Sequence, residues 1–159
     1  MQALKEKSVY GLIGRNIDYS FSRNYFNQRF KKEQLSDHQY VNFDIDEVSS
    51  CIKVFDTADL KGCNVTVPYK QQIIPFLDDL DEGARKIGAV NCIDFKNGRK
   101  IGYNTDVYGF QKSLEKQLFK NDHRALILGT GGASLAVGYC LDKLGIEYKK
   151  VSRTSKTGV

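Results

Sequence analysis

At 159 residues, 41% apolar and 27% charged with a formal net charge of +5, the chain has material for one ordinary domain or one small domain plus part of another. It has no run of about 18 apolar residues and no apolar N-terminal segment of the secretion-signal kind, so membrane-spanning and exported classes are not expected. Four cysteines without CxxC spacing, two scattered histidines and the absence of a basic block argue against metal and nucleic-acid binding and for a reduced, cytoplasmic protein.

Ser8-Val-Tyr-Gly-Leu-Ile-Gly14 reads as a buried strand ending in glycine. Phe21, Tyr25, Phe26 and Phe30 share one face of a helix, with Ser20 or Ser22 as its N-cap. Residues 40–44 alternate as a second strand; Val48, Ile52 and Phe55 suit a second helix. Residues 63–67 form a third strand, which Pro68 closes because it has no N–H to donate. Lys70 comes two places later. If a helix begins there, its positive end opposes the cation. Such a helix end and a partly dry pocket would ease release of the lysine proton, whereas a nearby carboxylate would hinder it. Leu77, Leu80 and Ala84 mark a further helix. Residues 89–95 and 100–103 flank Asn97-Gly98, a strong hairpin signal. Residues 107–119 read as a helix with Val107, Phe110, Leu114 and Leu118 on one side. Residues 125–129 form a fully apolar strand, residues 133–144 a helix stopped by Gly145, and Glu147–Val151 a last strand.

Strands alternating with helices make this an α/β protein, with a polar boundary at 120–124. Beyond that boundary lies one β-α-β unit, where a dinucleotide fold holds two such halves. The sequence therefore reads as stopping partway through its second domain.

Gly129-Thr130-Gly131-Gly132-Ala133 lies between an apolar strand and a helix. There, glycines admit a pyrophosphate to the backbone and the helix N-terminus offers free N–H groups. The alternative is a tight glycine turn without a ligand. A cofactor with a free ribose 2′-hydroxyl favours an acid roughly 20 residues past such a loop. Val151-Ser-Arg-Thr-Ser-Lys156 contains none. Arg153 can lie against a 2′-phosphate, with Ser152 and Thr154 donating hydrogen bonds, which prefers NADP over NAD. A solvated basic turn is the plain alternative.

Ser20-Phe-Ser22, Gly62-Cys-Asn-Val-Thr-Val-Pro-Tyr-Lys70, Gly88-Ala-Val-Asn91, Asn104-Thr-Asp106 and the glycine loop occur in the order found in shikimate dehydrogenases. The chain resembles that family over nearly its whole length. The resemblance implies NADP-dependent, reversible reduction of 3-dehydroshikimate to shikimate in aromatic amino acid biosynthesis. It implies Lys70 and Asp106 as the catalytic pair. Ser20 and Ser22 would hold the substrate carboxylate, and Thr66, Lys70, Asn91 and Asp106 its hydroxyls and carbonyl. Gly129, Thr130, Gly131, Gly132 and Ala133 would hold the pyrophosphate, and Ser152, Arg153 and Thr154 the 2′-phosphate end; no metal is implied.

The implied architecture is an N-terminal three-layer α/β/α substrate domain with a mixed sheet over 1–106. A connecting helix and linker (107–123) and a partial Rossmann-type βαβ cofactor domain (124–159) come after it. The partner is a small molecule, with no nucleic acid and no membrane, and the expected state is a monomer or homodimer. The family pattern has Pro after Ser-x-Ser and His-Asn three residues later; here these positions hold Arg23, Phe26 and Asn27. Ser152 stands where the family has Asn, and the family chain continues beyond residue 159.

Singly, each residue has a plain reading: Lys70 solvated, Asp106 or the serines as helix caps, Asn91 in a turn, Thr66 on an exposed strand face. Rival functions are a quinate-directed relative and a non-catalytic ligand-binding protein. A 159-residue piece is expected to bind substrate weakly and NADP poorly, with little turnover. Cys63 and Cys92 read as packing residues because no partner base is apparent.

Overall fold

The computed structural model describes residues 7–119 and 123–152. Strands β1 (Ser8–Gly14), β2 (His38–Asp44) and β3 (Leu60–Val65) run parallel, with β1 in the middle. Helix α1 (Ser22–Lys32) connects the first pair, and a 3-10 turn leading into α2 (Cys51–Phe55) connects the second. Next come β4 (Asp79–Leu80), α3 (Glu82–Ile87) and the hairpin of β5 (Cys92–Lys96) and β6 (Arg99–Tyr103). The six strands form one mixed sheet in the order β2-β1-β3-β5-β6-β4. Helix α4 (Asp106–Glu115) leads to a parallel two-stranded sheet of β7 (Arg124–Leu128) and β8 (Glu147–Val151), crossed by α5 (Gly132–Lys143). The expected α/β class, mixed sheet and partial βαβ unit are all present.

Strand alternation builds the layers. Val9 and Ile13 of β1 join the main core with Cys63, Val65, Val90 and Ile93, under α2 and the segments after β3. Tyr10 and Leu12 face the other way, into a cluster covered by α1. There Phe26 stacks on Tyr40 with ring centroids 4.6 Å apart. The Asn27 amide donates to Tyr40 O (2.8 Å) and accepts from Tyr40 N (2.9 Å), pairing with an edge strand as another strand would.

Several local expectations are corrected. Neither Ser20 nor Ser22 caps α1: Phe21 occupies the N-cap position without a side-chain bond. The Ser20 hydroxyl instead accepts from Ser22 N at 3.3 Å. Phe21 and Tyr25 are largely exposed, so the apolar face of α1 is narrower than its aromatic spacing suggests. In α2 the buried residues are Cys51 and Val54, while Ile52 faces solvent. No α-helix starts beside Lys70. Residues 68–73 form successive turns ending in a 3-10 turn at Ile74–Phe76 that contains Pro75. Leu80 lies in a strand, and the next helix begins only at Glu82, where the Asp81 carboxylate accepts from Gly83 N and Ala84 N.

The Asn97-Gly98 turn forms as expected, with φ of 53° and 74° at its two residues. Along α4, Val107, Phe110 and Leu114 are partly buried on one side, with Leu118 continuing that side past the helix. The βαβ unit differs from a strand buried on both faces. Ile127 packs on Leu141 and Ile146 beneath α5, but Leu126 and Leu128 are 67% and 83% exposed on the opposite face, alongside Val151.

Candidate active site

The sheet's pairing brings the motif loops to one edge. β1 and β3 are parallel, so the segments after Gly14 and Val65 leave from the same side. β5 runs antiparallel to β3 with Cys92 opposite Asn64, so residues 88–91 approach that side from outside. β6 returns with Tyr103 opposite Cys92, so residues 104–106 leave there too. Gly88 at φ 70° ends α3 and turns the chain into the 89–91 segment, a backbone conformation for which glycine is the least strained residue. Ligands bind in α/β sheets outside such strand ends.

Lys70 is pinned there by its neighbours. Tyr69 is buried and its hydroxyl donates to Ile45 O at 2.7 Å, while Val90 N donates to Lys70 O at 2.7 Å. The Lys70 ammonium donates to Asp106 Oδ2 at 2.7 Å, with side chains 15% and 33% exposed. Asp106 is thus neither a helix cap nor a solvated acid. Its other oxygen, Oδ1, accepts from Asn91 Nδ2 at 2.7 Å. The orientation of the Asn91 amide is set by Thr105, whose backbone N–H donates to Asn91 Oδ1 at 2.9 Å. That leaves the NH₂ group facing the carboxylate. Among the described residues Asp106 is the hydrogen-bond partner of the ammonium, which leaves two N–H donors for a ligand oxygen.

The remaining expected residues share the edge but not this network. Thr66 sits against the end of β1, where a Cβ on Gly14 would lie 2.6 Å from its methyl. Ser20 lies in the segment after β1 and Ser22 opens α1; the segment is held where Asn16 N and Ile17 N donate to the two carboxylate oxygens of Asp44. The glycine loop joins β7 to α5. Gly129 has φ 130°, open space surrounds the Cβ positions of Gly129 and Gly131, and no acidic side chain occupies the first turn of α5. An approaching diphosphate meets free helix N–H groups and no like charge there. Thr130 and Ala133 complete the loop. The loop also reaches the other cluster: Gly132 abuts the Lys70 side chain. Ser152 directly succeeds β8; Arg153 and Thr154 lie outside the described residues.

Residues 12–93 match the family model of the shikimate dehydrogenase substrate binding domain. The chain belongs to the shikimate dehydrogenase family. It is 41% identical over 150 residues to a shikimate dehydrogenase (NADP(+)) of Methanosphaera stadtmanae, covering 93% of this chain and 53% of the relative. To the Aquifex aeolicus enzyme of the same name it is 38% identical over 157 residues, covering 97% and 58%. The chain thus spans somewhat more than half the length of these relatives. Among solved structures, shikimate dehydrogenase 1 of Peptoclostridium difficile superposes with a TM-score of 0.83 at 33% identity, covering 95% of this chain and 56% of that one. The Thermus thermophilus shikimate 5-dehydrogenase, solved with NADP(H) and shikimate, gives 0.77 at 28% identity, covering 92% and 56%.

For a shikimate dehydrogenase family chain, the supporting residues that sequence reasoning left without a role are Asn104 and Thr105. Asn104 donates to Ala89 O (2.9 Å) and accepts from Asp106 N (3.1 Å), tying two motif segments together. An asparagine two places before the first acid of a helix is a readable signal for such a turn. Cys51 and Cys63 are buried free thiols. Burial pushes the Cys63 thiol up to about 12 and the Cys51 thiol up to about 11. At pH 8 a thiol reagent is expected to modify these two only on unfolding. The folded chain keeps both protonated where the unfolded chain ionises, so the stability they contribute is present below the ordinary thiol value of 9.0 and lost as pH rises toward 12. Labelling with subsequent peptide mapping, and thermal scans across that window, check both.

Proposed function

We propose that this chain forms the substrate-holding and proton-handling part, and the beginning of the cofactor part, of an enzyme that reversibly reduces 3-dehydroshikimate to shikimate in aromatic amino acid biosynthesis. In this reading residues 1–106 hold substrate, 107–123 connect, and 124–159 begin the NADP-binding unit. The carrying observation is the Lys70–Asp106 pair at 2.7 Å, on a sheet edge against which the glycine loop rests. The relatives' names, with NADP and shikimate among them, support the substrate and cofactor.

The glycine loop fits a dinucleotide diphosphate, with Gly129, Thr130, Gly131, Gly132 and Ala133 lining it; Ser152, Arg153 and Thr154 are proposed for the 2′-phosphate end. NADP, when bound, supplies or accepts the hydride. The chain's own residues handle the rest. Reduction of a ketone leaves negative charge on its oxygen, and the Lys70 ammonium is the group proposed to give that oxygen a proton and, in the reverse direction, to take it back. Asp106 orients the ammonium, and Asn91 holds Asp106 through its free oxygen. Ser20 and Ser22 are assigned to the substrate carboxylate, and Thr66, Asn91 and Asp106 to its ring oxygens.

Titrating shikimate into the 159-residue chain by calorimetry tests this reading. Binding by the parent chain is expected, weaker by roughly tenfold or more in Lys70→Ala, since a hydrogen bond from a charged group is lost. No binding by the parent chain, or equal binding by both, overturns it.

A further inference from the structure

The three glycines of the loop do different jobs. Gly129, at φ 130°, needs glycine for its backbone. Gly131 has φ −83° and ψ −177°, extended backbone open to any residue, and nothing lies within 4 Å of where its Cβ would be. Gly132 is not among the positive-φ glycines. Yet a Cβ there would lie 2.8 Å from Lys70 Cβ, 3.3 Å from Cδ and 3.5 Å from Cγ. Carbon atoms prefer about 3.5–4.0 Å, and the first of these distances is a steric clash.

We infer that Gly132 is a positioning residue for Lys70: its missing side chain lets the first turn of α5 rest on the lysine stem and hold the ammonium on Asp106. Both sides are held, so a shift of either one disturbs contacts already made. The Lys70 backbone is fixed by Val90 N and by the buried Tyr69 beside it. The α5 side is fixed where Ala136 packs on Ile87 and Ala89, all buried. Rotation about Cα–Cβ leaves Lys70 Cβ where it is. An added methyl therefore displaces the backbone of residue 70 or the start of α5, and the lysine stem with it, which moves Nζ away from Asp106. The phosphate loop and the ammonium become one mechanical unit, so whatever shifts the start of α5 also shifts Lys70. The inference rests on the proposed function only in treating Lys70 as the group that meets substrate; the contact itself does not.

The test tracks the Lys70 Cε–Hε nuclear magnetic resonance signal of the 159-residue chain, assigned by its loss in Lys70→Arg, together with shikimate affinity. Gly132→Ala is expected to move the signal and to weaken shikimate binding roughly tenfold or more, in line with the penalty for misplacing a positioned group. Gly131→Ala is expected to leave the Lys70 signal in place. An unmoved signal in Gly132→Ala, or an equal displacement in Gly131→Ala, overturns the inference. The signal is read without ligand, so a chain that binds no shikimate defeats the proposed function while this contact is still judged. If Gly132→Ala does not fold, Lys70→Gly is added to remove the opposing Cβ. Recovery of cooperative unfolding supports the contact, and failure to recover overturns it.

Discussion

Lys70→Ala is expected to lower kcat of the proposed reduction about 10²–10⁴-fold, the usual contribution of a placed general acid, with NADP affinity nearly unchanged. The lysine is held at its backbone by Val90 N, along its stem by Gly132 and at its tip by Asp106. A solvated lysine has none of these restraints, and its removal changes little. Lys70→Arg separates charge from proton donation. The guanidinium keeps the positive charge but holds its proton beyond any working pH, so it should recover part of the shikimate affinity without recovering turnover. Steady-state kinetics on the three proteins decide the matter. Near-normal turnover in Lys70→Ala removes the lysine from the chemistry.

Much of the fold was legible because short-range physics dictates it. Asn97-Gly98 demands positive φ at both turn residues, and the structure provides 53° and 74°. The 107, 110, 114, 118 spacing marks the packed side of α4, since helical neighbours recur every three to four residues. The failures lie where local pattern and tertiary pairing disagree. Leu77, Leu80 and Ala84 have helical spacing, but Leu80 pairs with Gly102 of β6, and the helix starts only after the Asp81 cap. A strand as short as Asp79–Leu80 leaves no alternation to read. Ile52 fits a helical face by spacing, yet the buried neighbours of α2 are Cys51 and Val54. Apolar Leu126 and Leu128 suggest burial on both faces, whereas α5 covers one.

The candidate site was legible in its parts but not in its connections. Lys70 and Asp106 are 36 residues apart, and no periodicity links them; only the resemblance names them together. Their meeting depends on β5 and β6 folding back antiparallel beside β3, which carries residue 106 to the edge that residue 70 already occupies. A helix beginning at Lys70 is only a conditional reading of the sequence, and here turns succeed Pro68 instead. The helix N-terminus that does reach the lysine belongs to α5, far along the chain. Nothing in the local sequence of Lys70 points to Gly132.

Asp106→Asn is expected to lower kcat by about 10²-fold, the scale set by losing the alignment of a reacting group. Both carboxylate oxygens meet donors, Lys70 on one side and Asn91 on the other. An asparagine brings one oxygen and one NH₂, so one donor must face another. Leaving a partly buried donor unmatched costs about 1–3 kcal/mol, so the variant should also unfold at lower temperature. The decisive comparison is the double variant. If the carboxylate works by orienting the ammonium, Lys70→Ala leaves it nothing to orient, and adding Asp106→Asn should slow the enzyme little further, as for residues that act as a unit. Additive losses would instead assign Asp106 an independent contact with substrate, and the orienting role would fall while the substrate-binding role remained. Calorimetry of shikimate binding to each single variant then measures that contact directly.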